Sequence, residues 1–359
     1  MKEKPRFKFI DYLRGGALLV MIEVHVINSM LISSIKSEPW FSTLVFINGL
    51  VAPSFLFISG FAFYISSDRK LDELRNYGKA FWRKIGRIVV VLLAGYSLHF
   101  PFRSVFISGY NLFSINWVPV INVDILQCIA VGLLVMFVFR ILIKDKKLYD
   151  LLLLISGVLI ILASPLVWKT DFTNYLPLFF AAYFNTMQGS LFPLFPWLGF
   201  MFLGATACNY YLMAREKNEE KKYIYIISVV GAFFILFGNI SRFDLVYAII
   251  GDIIPNPLFF ILRLGYILIL LVLCWYYADI RKPEKSFVLD VSRESLLVYW
   301  LHLVLIYGVF WNGKSLTAIV NNRFGIIECG LMTIAVAVLM IFIAKLWGAF
   351  KRRTKIFSK

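Results

Sequence analysis

Apolar runs of bilayer length recur along this chain, and they leave few folds open to it. Ile88–Leu98, Leu148–Leu166 and Ile326–Ile343, with their flanks, are long enough to cross a hydrocarbon core about 30 Å thick. Water is absent there, so each run must satisfy its own backbone N–H and C=O groups as a helix. Composition agrees, with 60% of residues hydrophobic and 16% charged, where soluble domains are nearer half apolar and a quarter charged. The expected fold is all-α, a polytopic integral membrane helix bundle forming a single domain over residues 1–359.

At about twenty apolar residues per helix, the chain divides into roughly ten spans. They fall near 10–35, 42–66, 86–107, 122–141, 148–168, 193–213, 223–240, 257–278, 289–311 and 326–348. The net charge of +16 is unevenly spread over the links between them. Lys and Arg gather before the first span and in Arg69–Arg87, Lys144–Lys147, Arg215–Lys222, Arg281–Lys285 and the tail Lys351–Lys355. The intervening links, Gly109–Ile121, Lys169–Phe192, Ser241–Asn256 and Asn312–Gly325, carry aromatics, Asn and Pro instead. The positive-inside rule then puts the basic links and both termini in the cytoplasm. The charge reports orientation and contact with membrane lipids bearing anionic headgroups; no nucleic acid partner is expected. Phe172–Gln188 is expected to lie along the outer interface. The first span is too long for a signal peptide and lacks a small-residue cleavage site, so it is expected to be retained. The expected location is a bacterial cytoplasmic (inner) membrane.

Ionisable residues inside such spans are costly and default to a functional hypothesis. His25 follows Arg14 by eleven positions, which on a helix returns it to within about 20° of Arg14, about 16 Å further along the axis. Asp11 falls on nearly the same stripe, one turn below Arg14. Glu23 points some 160° away from His25 and is left outside the site. Counted from the cytoplasmic ends of their spans, His25, His99 and His302 lie about 22, 20 and 18 Å deep, at or just beyond the midplane. Asn48 and Gln127 reach a comparable level, and Asp124 lies one turn from Gln127 on the same face. Polar groups from five helices at one depth point to a cavity opening outward.

Each residue also has a packing role open to it. A membrane histidine can hydrogen-bond a neighbouring helix, and that role suits His99, beside Phe100 and Pro101, better than catalysis. Arg14 can snorkel or pair with Asp11. Asp124 and Gln127 can cap a helix. Arg293 and Glu294, at the end of the ninth span, read as a solvated ion pair. The chain has no Cys/His metal spacing, no phosphate-binding glycine loop and no serine elbow. No metal is expected; the chemistry narrows to what imidazole, carboxylate and amide can do.

Several segments, in order, resemble a known family. Asp11-Tyr-Leu-Arg14-Gly-Gly-Ala-Leu-Leu-Val-Met-Ile-Glu-Val-His25 resembles the opening of the heparan-alpha-glucosaminide N-acetyltransferase catalytic-domain family. The Arg14-to-His25 spacing also matches the motif of the related family-three membrane acyltransferases. Phe57-Ile-Ser-Gly-Phe61 resembles the second-helix motif of both groups. Asp124-Ile-Leu-Gln127, Phe192–Gly199 and Ser295–His302 resemble further elements of the first. Cys128 stands where that family has a basic residue, and no counterpart of the large luminal domain of its eukaryotic members is expected.

The resemblance implies transfer of an acyl group, usually acetyl from cytoplasmic acetyl-CoA as co-substrate, to a sugar hydroxyl or amine across the membrane. It makes His25 the transferring histidine and Arg14 the motif arginine. Arg83, Lys84 and Arg87, in the densest basic link, would hold the CoA phosphates beside Arg14. His25 would act as general base or accept the acyl group itself. Asp124 and Gln127 would assist catalysis, and Asn48, Trp197 and His302 would contact an extracytoplasmic glycan acceptor; Trp197 also suits an interface anchor. The rival from another class is a secondary transporter or lipid-linked-sugar flippase, which needs a polar midplane cavity too. A purely structural protein would leave the aligned Arg14 and His25 without a purpose. A homodimer is left open.

Overall fold

The computed structural model describes residues 7–68, 71–101, 117–243, 246, 248, 251–282, 286–308 and 314–354. Parts of the expected cytoplasmic segments, among them Arg69 and Lys355, lie outside the described residues, as does most of the Gly109–Ile121 link. The described residues are helical, with one isolated bridge between Leu31 and Phe324 as the only β pairing among them.

Twelve longer helices matter here. They are α1 (Lys8–Met30), α2 (Pro39–Asn48), α3 (Val51–Asp68), α4 (Lys79–His99), α5 (Ile125–Leu142), α6 (Lys146–Lys169), α7 (Leu194–Glu216), α8 (Glu220–Asn239), α9 (Pro257–Arg281), α10 (Phe287–Arg293), α11 (Ser295–Tyr307) and α12 (Ile326–Thr354). Every predicted span falls on one or two of them. Six segments are long and apolar enough to cross a membrane: α2 with α3, then α5, α6, α8, α9 and α12.

The helix boundaries have local causes. α2 starts with Pro39 in its first turn, where the missing N–H costs nothing. The second predicted span is interrupted at Gly49 and Leu50, which separate α2 from α3. The ninth is interrupted at Glu294, whose φ of −107° and ψ of 30° separate α10 from α11. The sixth kinks at Phe195 (φ −98°, ψ 121°), between two prolines that remove backbone donors. Asp145 caps α6 by accepting from the Leu148 N–H at 2.7 Å. In the Phe172–Gln188 link the chain forms a short 3-10 turn, Phe172–Asn174, and a single helical turn, Leu178–Ala181.

The helices form two compact units, one from 1–51 and 270–359, the other from 52–269. In the first, the end of α1 is fixed by a buried cluster of Val26, Met30, Leu31, Phe41, Ile306, Val320 and Cys329. The Ile32 N–H donates to the Phe324 carbonyl at 2.9 Å, and the Phe324 N–H to the Met30 carbonyl at 3.0 Å. In the second unit, α7 is the central helix, buried along much of its length. Its Gly204 lies against the Phe57 carbonyl and its Met201 carbonyl against Gly60, so α3 and α7 meet backbone to backbone. Small residues give membrane helices this approach, and dispersion replaces the hydrophobic effect as the binding force.

Candidate functional site

The first unit carries His25. Val26 and Ile306 share the buried cluster, and their chain neighbours His25 and Tyr307 meet beside it. His25 Nδ1 lies 3.2 Å from the Tyr307 hydroxyl. The two rings stand nearly perpendicular, with centroids 5.6 Å apart. His302, five residues earlier on α11, puts its ring 5.3 Å from that of His25. His302 is completely buried, and its Nδ1 lies 2.9 Å from the Val298 carbonyl. A carbonyl only accepts, so Nδ1 of neutral His302 carries the proton and Nε2 the lone pair. That Nε2 is buried without a hydrogen-bond partner.

Arg14 pairs with Asp11 at 3.6 Å within α1, the local pairing open to it from sequence. Asp11 is buried and also accepts from the Ser292 hydroxyl of α10 at 3.4 Å. The stripe Asp11–Arg14–His25 is therefore anchored at its start to α10 and at its end to α11. Asn48 also turns to α1. Its amide donates to Glu23 at 3.4 Å, and Glu23 projects from α1 some 160° from His25. Asn48 thus engages the face of α1 turned away from the imidazole, and Glu23, set aside in the sequence, is its partner.

Beside Ser292, two adjoining cavities of about 470 and 560 Å³ open between α10 and α12. Both are lined by Asp290, Arg293, Lys345 and Arg352. Asp290 is matched by Arg293 at 3.5 Å, and Glu294, which lines one of them, accepts from Lys351. Lys345 and Arg352 have no acidic partner among the described residues, so the cavities are net positive. In sequence Arg293 reads only as a solvated pair with Glu294; its convergence with Lys345 and Arg352 needs α10 folded onto α12.

In the second unit, Asp124 and Gln127 form a capping box at the start of α5. Asp124 accepts from the Ile125 N–H at 2.7 Å, and Gln127 Oε1 accepts from the Asp124 N–H at 3.3 Å. This is the capping role open to them from sequence. His99 Nε2 lies 3.5 Å from the outer oxygen of Asp124. Gln127 keeps one unsatisfied buried donor, its Nε2. Trp197 sits in an aromatic cluster with Phe192, Phe200 and Phe260, at 5.0, 6.2 and 5.5 Å. The Arg263 guanidinium lies 5.8 Å from its ring centre.

Among the predicted phosphate ligands, Arg83 and Arg87 are exposed. Lys84 is not available: its ammonium donates to Ser67 at 2.7 Å and Ser66 at 2.9 Å and rests 3.7 Å over the Phe63 ring. Burial, helped by the charge of Arg87, pulls this ammonium down to about 7. Arg140, within the fourth predicted span, is buried and donates to Asp68 at 2.9 Å. The Tyr64 hydroxyl donates its one proton to Asp150 at 2.7 Å and lies 2.9 Å from the Asn209 side-chain amide, completing a polar group that no linear spacing announces.

The family model described as "Heparan-alpha-glucosaminide N-acetyltransferase, catalytic" matches residues 6–241. The match covers about two thirds of the chain and includes Arg14, His25, Asn48, Asp124, Gln127 and Trp197. His302, Tyr307 and the two cavities fall beyond it. Comparison with curated proteins gave no match.

Proposed function

This chain belongs to the heparan-alpha-glucosaminide N-acetyltransferase catalytic family, and from that premise we propose that it moves an acetyl group from cytoplasmic acetyl-CoA to a hydroxyl or amine of an extracytoplasmic glycan. The observation that carries the reading is His25: an imidazole on an apolar helix, within the family match, flanked by His302 and Tyr307. As a base, its lone pair takes the acceptor's proton while the acceptor oxygen or nitrogen attacks the thioester carbon. The C–S bond breaks, and the thiolate leaves as CoA after taking that proton from the imidazolium. As a nucleophile, the same nitrogen forms an acyl-imidazole first and passes the acyl group on.

The donor's phosphates, in this reading, occupy the cavities lined by Arg293, Lys345 and Arg352. Asp11, bonded to Ser292 next to Arg293, marks their level on α1. His25 lies fourteen residues beyond, about 21 Å along the axis, a distance of the order an extended phosphopantetheine chain covers. Exposed Arg and Lys suit phosphate oxygens, whereas Lys84 already spends its donors on Ser66 and Ser67. Substituting Lys345→Glu together with Arg352→Glu is expected to raise the KM for acetyl-CoA about tenfold, roughly 1.4 kcal/mol, with kcat within about twofold. Steady-state kinetics on the purified protein checks this. A rise confined instead to Arg83→Glu with Arg87→Glu returns the phosphates to that link.

Sealed inside-out vesicles test the reaction itself. With acetyl-labelled CoA outside and an oligosaccharide acceptor inside, labelled acceptor is expected in the lumen and free CoA outside. Saturable flux of an unmodified solute, without CoA-dependent product, would make the chain a carrier and end the proposal.

A further inference from the structure

We propose that Tyr307 is a positioning residue for His25: its hydroxyl oxygen accepts the Nδ1–H of the imidazole and so assigns the lone pair to Nε2. The inference rests on the acyltransferase reading and deepens it. An imidazole works as base or nucleophile only through the nitrogen that lacks the proton, and its tautomer is set by the hydrogen bond of the other nitrogen. Tyr307 Oη, 3.2 Å from Nδ1, is that partner. A phenol can donate or accept, and the reaction selects acceptance. In the resting state Nδ1 carries the proton. Once Nε2 has taken the acceptor's proton, or has bonded to the acyl carbon as the thiolate departs, the ring is cationic and Nδ1 still carries its proton. One acceptor at Nδ1 therefore serves both states without rearrangement, the condition for low-cost electrostatic support.

Packing makes the contact durable. Tyr307 ends α11 directly after Ile306, which is completely buried against Val26, the residue following His25. The rings meet edge to face at 87°, so the hydroxyl is held at the edge of the imidazole. The His302 ring, 5.3 Å from that of His25, has its own tautomer fixed by the Val298 carbonyl. Tyr307 lies 282 residues from its partner, so no local spacing pairs the two.

Three proteins decide the matter: the parent, His25→Ala and Tyr307→Phe, each as full-length chain in nanodiscs with acetyl-CoA and acceptor. Tyr307→Phe keeps the ring and removes one oxygen, and thermal midpoints confirm that it is folded. Its kcat is expected to fall about 10- to 100-fold, with both KM values within about twofold. In spectra of protein labelled with ring-15N histidine, the His25 signals are those missing from His25→Ala. They should show the proton on Nδ1 in the parent and a redistribution toward Nε2 in Tyr307→Phe. Parent-like kcat in Tyr307→Phe beside an inactive His25→Ala overturns this proposal and leaves the acyltransferase reading standing. A parental His25 with its proton on Nε2 does the same. An active His25→Ala removes the reading beneath it.

Discussion

Acetyl transfer is expected to fall by about 10²–10⁴-fold when His25 is replaced by alanine, the range a positioned proton-transfer group contributes. The loss should appear in kcat, because the cations near Arg293 and Lys345 that we assign to the donor are untouched. The variant should remain folded. α1 is held by Leu18, Met21, Ile22 and Val26, all buried, while His25 is only half-buried. Size-exclusion profile and thermal midpoint in detergent should match the parent. Activity comparable with the parent in a folded His25→Ala protein is the result that the proposed function does not survive.

The second large effect is on stability. A Cβ at Gly204 would stand 2.0 Å from the Phe57 carbonyl oxygen, and one at Gly60 would stand 1.8 Å from that of Met201. Both obstacles are backbone, so no rotamer change relieves them; α3 and α7 must separate. Overpacking inside a well-packed core costs about 1–3 kcal/mol or more, and here the close approach is itself the source of helix association. Gly204→Val is expected to lower the thermal midpoint sharply or to abolish recovery of folded protein. Gly16→Ala is the control, since nothing lies within 4 Å of its added Cβ; an equal loss in that variant would refute the argument from helix approach.

What could be read in the sequence follows the range of each cause. Apolar run length placed each longer helix on a predicted span but not the breaks at Gly49 and Glu294, because partition into a bilayer depends on the local run of side chains and not on backbone turns within it. The Asp124–Gln127 capping box was legible for the same reason: donor and acceptor are three residues apart. The alignment of Arg14 with His25 needed only helical pitch. The partner of Asn48 was not legible, because depth along a helix does not fix which face a residue meets. Asn48 shares a level with His25 but turns to Glu23. The burial of Arg140 was not legible either, because Asp68 from α3, the counter-charge that makes it tolerable, lies 72 residues away.

The sequence by itself determined that this is a helical membrane chain, which end of each span is basic, and which histidine stands in line with an arginine. All of these are properties of one helix and its solvent. Only the tertiary structure decided what surrounds that histidine. Tyr307 and His302 reach it through a cluster joining residues far apart in the chain, and Arg293 meets Lys345 and Arg352 only where α10 packs on α12. Such contacts depend on which helix faces meet, and in lipid that choice rests on close packing and a few polar bonds, for which a linear pattern carries no signal.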